Sequence, residues 1–242
     1  MAIYNYPQIT EYSQNFTIEM IKNKNSLNLF SDASMRRVTY KNHATCYGSV
    51  AVFGDNIIDE MFRMNSECTV PAAEIRGIRC SLILALKHRH EFKIINIFSD
   101  SQIALFSLRD YMYNWKFNKA TERYVLAANG KEAKNQEILI ECLNMLNELR
   151  RTNIVNLFHQ NGHVENGMAS IKEALKCFKI SNGIKGIIGY DVIRYISLYN
   201  NYVDNKSRSF IRTTNIYDNN YRDAMVVVPQ EGIYNYCKEF GR

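Results

Sequence analysis

Three acidic residues stand where the apolar patterning of this chain changes: Asp32 in LNLFSDAS, Glu74 in TVPAAEIRGI and Asp100 in INIFSDSQ. Asp32 and Asp100 each follow an apolar run that reads as a strand, and Glu74 falls in the opening turn of a helical repeat. Glu74 precedes Ile78 by four residues, which sets it at the margin of that helix's apolar face. A carboxylate close to a core has to be ion-paired, protonated or bound to a cation. No basic residue offers itself as a local partner for all three. Mg²⁺ would serve, because it is a hard cation that takes a few carboxylates together with waters and phosphate oxygens. Taken singly, each acid reads first as structural: Asp forms turns after strands, and Ser99-Asp100-Ser101 suits a helix cap.

The acids can cooperate only if the intervening elements bring them together. Leu27–Ser34 reads as a strand that ends on an acid, and Cys46–Phe53 as a second strand. A turn at Gly54-Asp55-Asn56 leads to a third over Ile57–Met64, giving an antiparallel meander. Pro71 is tolerated in a first helical turn, and Ile75, Ile78, Leu82 and Leu86 then repeat at helical spacing. Lys93–Phe98 is the near-continuous apolar run of a strand buried on both faces, followed by a helical pattern at Ile103, Leu105, Phe106 and Leu108. Lys134–Leu149 predicts a helix and Asn153–Phe158 another buried strand. Strands followed by β-α alternation predict an α/β protein with a mixed sheet and helices on its faces. Met168–Phe178 is helical in spacing, Gly183 to Gly186 interrupts it, and a second helix is expected around Val192–Leu198. A short amphipathic piece lies near Phe16–Ile21, and Met225–Val228 reads as an edge strand among the C-terminal aromatics Tyr217, Tyr221, Tyr234, Tyr236 and Phe240.

FSDAS (Phe30–Ser34), TVPAAEIRGI (Thr69–Ile78) and INIFSDSQIAL (Ile95–Leu105) resemble, in order, the first three signatures of the type 1 ribonuclease H family. INIFSDSQ is especially similar to the RNase H domains of retroelements, and NGKEAKNQEIL (Asn129–Leu139) is similar to the segment leading into the helix before the last strand in cellular members. Gly162-His163 in HQNGHVENG resembles the mobile loop whose histidine assists product departure. The family's fourth acid follows in an N-x-x-x-D pattern, which Asn200 to Asp204 supplies. Family members reach that acid soon after the Gly-His, whereas here residues 165–199 intervene as an apparent helical insertion. Glu165 and Asp191 are therefore rivals to Asp204. Val70-Pro71 also departs from the family, where Asn residues often contact nucleic acid just before the catalytic Glu.

The resemblance spans about residues 27–210. It implies a five-stranded mixed sheet, three strands antiparallel and the rest parallel, flanked by helices, with the insertion before the last catalytic helix. The expected organisation is one domain over 1–242, with a C-terminal extension at 211–242. The implied activity is endonucleolytic hydrolysis of the RNA strand of an RNA–DNA hybrid, leaving 5′-phosphate and 3′-hydroxyl ends. Asp32, Glu74, Asp100 and Asp204 would hold two Mg²⁺ ions about 3.5–4 Å apart, with Mn²⁺ as a possible substitute. His163 would help product or metal leave. Ser34, Gln102 and the segment holding Trp115, Lys116, Lys119, Arg123, Tyr124, Lys131 and Lys134 are candidate substrate contacts; surface lysines in a solvated connection read equally well. Competing readings are a nuclease of the same fold acting on DNA and a non-catalytic nucleic-acid-binding domain. Exonucleases of this fold usually carry Asp-x-Glu on the first strand, and Asp32-Ala33-Ser34 lacks the Glu.

With 30 Lys+Arg against 24 Asp+Glu, the net charge of +6 suits a polyanionic partner without requiring one. The six cysteines contain no C-x-x-C pair and no His-spaced cluster, which argues against zinc and for reduced structural thiols. No segment approaches the roughly 18 apolar residues of a membrane span, so a cytoplasmic protein without membrane contact is expected.

Overall fold

A computed structural model describes residues 21, 23–40, 43–54, 57–64, 69–164 and 167–213. The expectations for Glu165, for the C-terminal aromatics and edge strand, and for all but Ile21 of the N-terminal amphipathic piece lie outside these residues. The strands β1 (Ser26–Tyr40), β2 (His43–Gly54) and β3 (Ile58–Met64) form the expected antiparallel meander. β4 (Ile94–Ser99) and β7 (Ile154–His159) add in parallel, giving a five-stranded sheet of order β3-β2-β1-β4-β7.

Helix α1 (Val70–His88) starts where the sequence predicts, with the Thr69 hydroxyl accepting from the Ala72 N–H at 3.4 Å. Its apolar repeat, Ile75, Ile78, Leu82 and Leu86, is buried against the sheet and against α3 (Gln136–Leu149). On the opposite face, α5 (Tyr190–Thr213) packs on β1 and β2, with α4 (Met168–Ser181) beside it and against β7. The result is a sheet between two helical layers, the α/β architecture expected.

The parallel strands carry a register that decides where the acids go. Asn28, Asn96 and Asn156 stand side by side and hydrogen-bond across the sheet at 2.9 and 2.8 Å. Two residues on, Phe30 stacks on Phe98 at 4.7 Å and Phe98 on Phe158 at 5.2 Å. Side chains repeat on one face every second residue, so the next rung upward begins with Asp32 and Asp100.

Several expectations need correction. Asp32 does not end its strand: β1 continues to Tyr40, paired with β2 throughout. What ends is the pairing with β4, whose last rung is Phe30 with Phe98, so Asp32 sits where the two strands part. The helix after Asp100 is α2 (Gln102–Phe106), which widens into a π-helical turn at Ser107–Tyr111 and a 3₁₀ turn at Met112–Asn114. Its buried face is Ala104, Leu105, Leu108 and Met112, and Ile103 is exposed, because the helix rolls one position away from the predicted stripe. The stretch from Trp115 forms an unpredicted hairpin of β5 (Trp115–Asn118) and β6 (Arg123–Leu126), which aromatic and β-branched side chains favour. Finally, the helix expected over Val192–Leu198 and the helix bearing Asp204 are one continuous α5.

Between α1 and α3 lies a buried ion pair. Arg79 donates to both carboxylate oxygens of Glu141, at 2.9 and 2.8 Å, with both residues under 9% exposed. Removing the carboxylate strands a charge in the core, whereas replacing both partners by apolar groups does not. Glu141→Ala is therefore expected to lower unfolding free energy by about 3–5 kcal/mol, and Arg79→Met with Glu141→Leu to recover most of it, as read by chemical denaturation.

Candidate active site

The rung above the phenylalanines opens into a cleft of about 620 Å³ lined by Asp32, Glu74, Asp100, His163 and Asp204. Asp32 comes from the fork between β1 and β4, Asp100 from the residue after β4, and Glu74 from the second turn of α1. These three each offer a carboxylate oxygen within 4.8 Å of the others. Asp204 reaches the cleft from α5, and His163 from the loop between β7 and α4. Gly162 makes that loop's approach possible: a Cβ there would lie 2.4 Å from Asp100 Oδ2, so any larger residue would displace the carboxylate or the loop.

The charges of the three acids are poorly compensated. Burial, reinforced by repulsion from Asp100 and Asp204, pushes the Asp32 carboxyl up to about 8. Burial and repulsion from Asp32, Asp100 and Asp204 push Glu74 to about 9. Asp100 is raised as well by burial, opposed by a hydrogen bond from the Asn200 side chain and by the charge of His163. Among the described residues none of the three is ion-paired to a lysine or arginine. Asp204 differs: Arg208 Nε lies 2.7 Å from Oδ1 and His163 Nδ1 3.5 Å from Oδ2. Three converging carboxylates, each with its ionisation suppressed by burial and by neighbouring acids, form a donor set suited to a hard divalent cation.

Sequence reasoning missed several supports. Ser207, one turn beyond Asp204, has its hydroxyl 3.3 Å from Asp32 Oδ2, 3.0 Å from the Asp204 carbonyl and 2.8 Å from Ser34 Oγ. The Ser49 hydroxyl donates to the Ser207 carbonyl at 2.8 Å, so α5 is tied to both β1 and β2 beside the acids. No sequence signal distinguishes such a serine. Arg36, Arg208 and Arg212 line the same cleft and give it a cationic border. Their signal was present in the spacing of Arg208 and Arg212, four and eight residues after Asp204.

The candidate substrate contacts fare unevenly. Ser34 lines the cleft, with its hydroxyl engaged by Ser207. Gln102 is exposed at the start of α2 and is not among the lining residues. Trp115 packs beside Tyr124, and Lys116, Lys119, Lys131 and Lys134 are exposed on or after the β5–β6 hairpin, away from the cleft lining. Arg123 of that hairpin is paired with Glu132 and Glu137. Asp191 lies thirteen residues before Asp204 on one helix, about 20 Å along its axis, so it does not join the cluster.

Residues 24–173 match the sequence model of the RNase H family, more than half of the chain. The chain belongs to the RNase H family. Membership makes it an enzyme, a ribonuclease H; the match ends within α4, so the helix bearing Asp204 lies beyond it. Similar solved structures include RNase H1 from the halophilic archaeon Halobacterium salinarum NRC-1, with 14% identity over 56% of this chain and 86% of that one and a TM-score of 0.34. LC11-RNase H1 in complex with an RNA/DNA hybrid has 11% identity over 55% and 85%, with a TM-score of 0.35. LC9-RNase H1, a type 1 RNase H with the type 2 active-site motif, has 13% identity over 66% and 73%, with a TM-score of 0.36. Comparison with curated protein sequences gives no match.

The raised Asp32 carboxyl sets a stability prediction. Its ordinary value is 3.8, so between pH 4 and about 8 the folded chain retains a proton that the unfolded chain releases. Stability from this group is fully present below pH 3.8 and is lost as pH rises toward 8. In chelator, Asp32→Asn should raise unfolding free energy by about 1–3 kcal/mol near pH 8 and change little near pH 4, as followed by denaturant melts at both pH values.

Proposed function

We propose that this ribonuclease H cuts the RNA strand of RNA–DNA hybrids by divalent-metal-dependent hydrolysis, leaving a 5′-phosphate and a 3′-hydroxyl. The observation that carries this reading is the convergence of Asp32, Glu74 and Asp100 within 4.8 Å in a cleft bordered by arginines. Two Mg²⁺ ions are the fitting occupants, held by Asp32, Glu74 and Asp100 with Asp204 at the second position, and Mn²⁺ as a substitute. When bound, such ions supply a nucleophilic hydroxide and stabilise the leaving 3′ oxygen.

The chain's own residues then have distinct tasks. Asp32, at the fork of β1 and β4, feels the charges of both Asp100 and Asp204 and is positioned by the Ser207 hydroxyl. Asn200 orients Asp100. Arg208 holds Asp204 by one oxygen, and His163 stands on its other side on a left-handed backbone position, φ 53°, from which it can follow the departing product. Arg36, Arg208 and Arg212 face the strand phosphates, a contact that binds nucleic acid without reading sequence. Choice of the RNA strand rests on its 2′-hydroxyls, exposed in the wide minor groove of an A-like hybrid.

We read the chain as one domain over 1–242, with its core near 27–210, an insertion near 165–199 and a C-terminal extension at 211–242. We place its action in the cytoplasm, on the distribution of its cysteines; Cys80 and Cys142 are buried free thiols. No described helix is long and apolar enough to cross a membrane.

Labelled RNA–DNA hybrid, duplex RNA and duplex DNA, each incubated with Mg²⁺ or Mn²⁺, test the reading. Cleavage should be confined to the RNA strand of the hybrid. Asp32→Asn, Glu74→Gln and Asp100→Asn should each lower kcat by roughly a hundredfold or more while hybrid affinity holds within about threefold. Cutting of duplex DNA with the hybrid spared would assign a DNA nuclease, and no cutting with either metal a binding domain.

A further inference from the structure

The end of the family match and the region beyond it carry a second concave surface. Helix α4 and the segment leading to α5 enclose a groove of about 580 Å³. Its apolar lining comes from Leu175, Ile180, Ile184 and Tyr190; Ile180 is 70% exposed, and Ile187 nearby is 95% exposed. Around it stand four lysines. Lys172, Lys176 and Lys179 follow one another at spacings of four and three, which places them on one side of α4, and Lys185 closes the rim from the connecting segment. Among the described residues none of the four forms an ion pair.

We propose that this groove is a docking site for a protein partner: an acidic segment that presents apolar side chains between its carboxylates. The two halves of the surface specify the two halves of the partner. Four positive charges, none ion-paired among the described residues, repel one another around a small apolar floor, and carboxylates placed between them relieve that repulsion while steering the encounter. The exposed isoleucines gain only if covered by apolar groups, the arrangement of an apolar centre within a charged rim. A helix or extended peptide laid in such a groove satisfies both.

Nucleic acid fits less well. A duplex presents sugar and phosphate, which leave the exposed Ile180 uncovered. A single strand binds by stacking bases on aromatic faces, and the groove lining offers one aromatic ring, Tyr190, against three aliphatic side chains. The cationic residues that suit phosphates are instead the arginines of the acid-lined cleft. The groove therefore separates partner binding from the chemistry.

A random peptide library displayed on phage, selected on the full chain, provides the probes, and recovered sequences are remade as labelled peptides for anisotropy. The selected peptides should combine several Asp or Glu with apolar residues and bind more weakly as salt rises from about 50 to about 300 mM. Lys176→Glu with Lys179→Glu, and separately Ile180→Asp at its exposed position, should each weaken binding by at least roughly tenfold. Both variants should keep wild-type hybrid cleavage and wild-type melting. The proposal is overturned if no peptide is enriched, if the enriched peptides lack acidic residues, or if they bind both variants as well as wild type. It is equally overturned if the same variants lose oligothymidylate binding or hybrid cleavage, which would make the groove a nucleic-acid surface.

Discussion

Like charges held close together in a buried place resist ionisation, and the architecture of this chain is arranged to hold them there nonetheless. Asp32 and Asp100 share a rung because the strands beneath them are locked in register, first by an asparagine ladder and then by three stacked phenylalanines. A slip of one residue would turn both acids to the opposite face of the sheet. The polar and aromatic rungs fix register more firmly than an all-aliphatic sheet would, since amide pairs and stacked rings each have one good alignment. Glu74 and Asp204 then arrive from opposite helical layers, so the cluster exists only when both layers are packed.

That arrangement explains the division between acids and cations in the cleft. The three converging carboxylates have no basic partner of their own among the described residues, and the arginines border them from β1 and α5 instead. An internal lysine would satisfy the cluster and leave no work for a metal ion. Asp204, already held by Arg208, is the acid whose charge is shared between the protein and the site. The groove on α4 follows the opposite logic, with cations that form no ion pair among the described residues around an apolar floor. The two surfaces thus carry opposite charge patterns, carboxylates bordered by arginines in the cleft and lysines around an apolar floor on α4.

Much of this was legible in the residues. FSDAS, TVPAAEIRGI and INIFSDSQ carry both the element type and the acid, because a buried strand and an amphipathic helix leave strong periodic signals. Asp32, Glu74 and Asp100 could be placed from those signals, whereas only resemblance to the family's N-x-x-x-D pattern favours Asp204 over Glu165 and Asp191. The extent of β1 was not legible: beyond Asp32 it pairs only with β2, and MRRVTY shows no clean alternation. Nor was the continuity of α5, whose polar middle at Asn200 and Asn201 reads as a break, although Asn200 is buried and hydrogen-bonds Asp100. In the β5–β6 hairpin the lysines mask a strand signal carried by the aromatic residues, and Arg123 is paired with Glu132 and Glu137. Ser207 was invisible because its role depends on which strand it meets.

The most direct test of the account is a calorimetric titration of Mn²⁺ and of Mg²⁺ into the chain, at about pH 7, in buffers of different ionisation enthalpy. With Asp32 raised to about 8 and Glu74 to about 9, metal binding must displace protons held by the cluster. Release of about one or more protons per chain is expected, with both binding and release lost in Asp32→Asn. Binding without proton release, or undiminished in that variant, would contradict it.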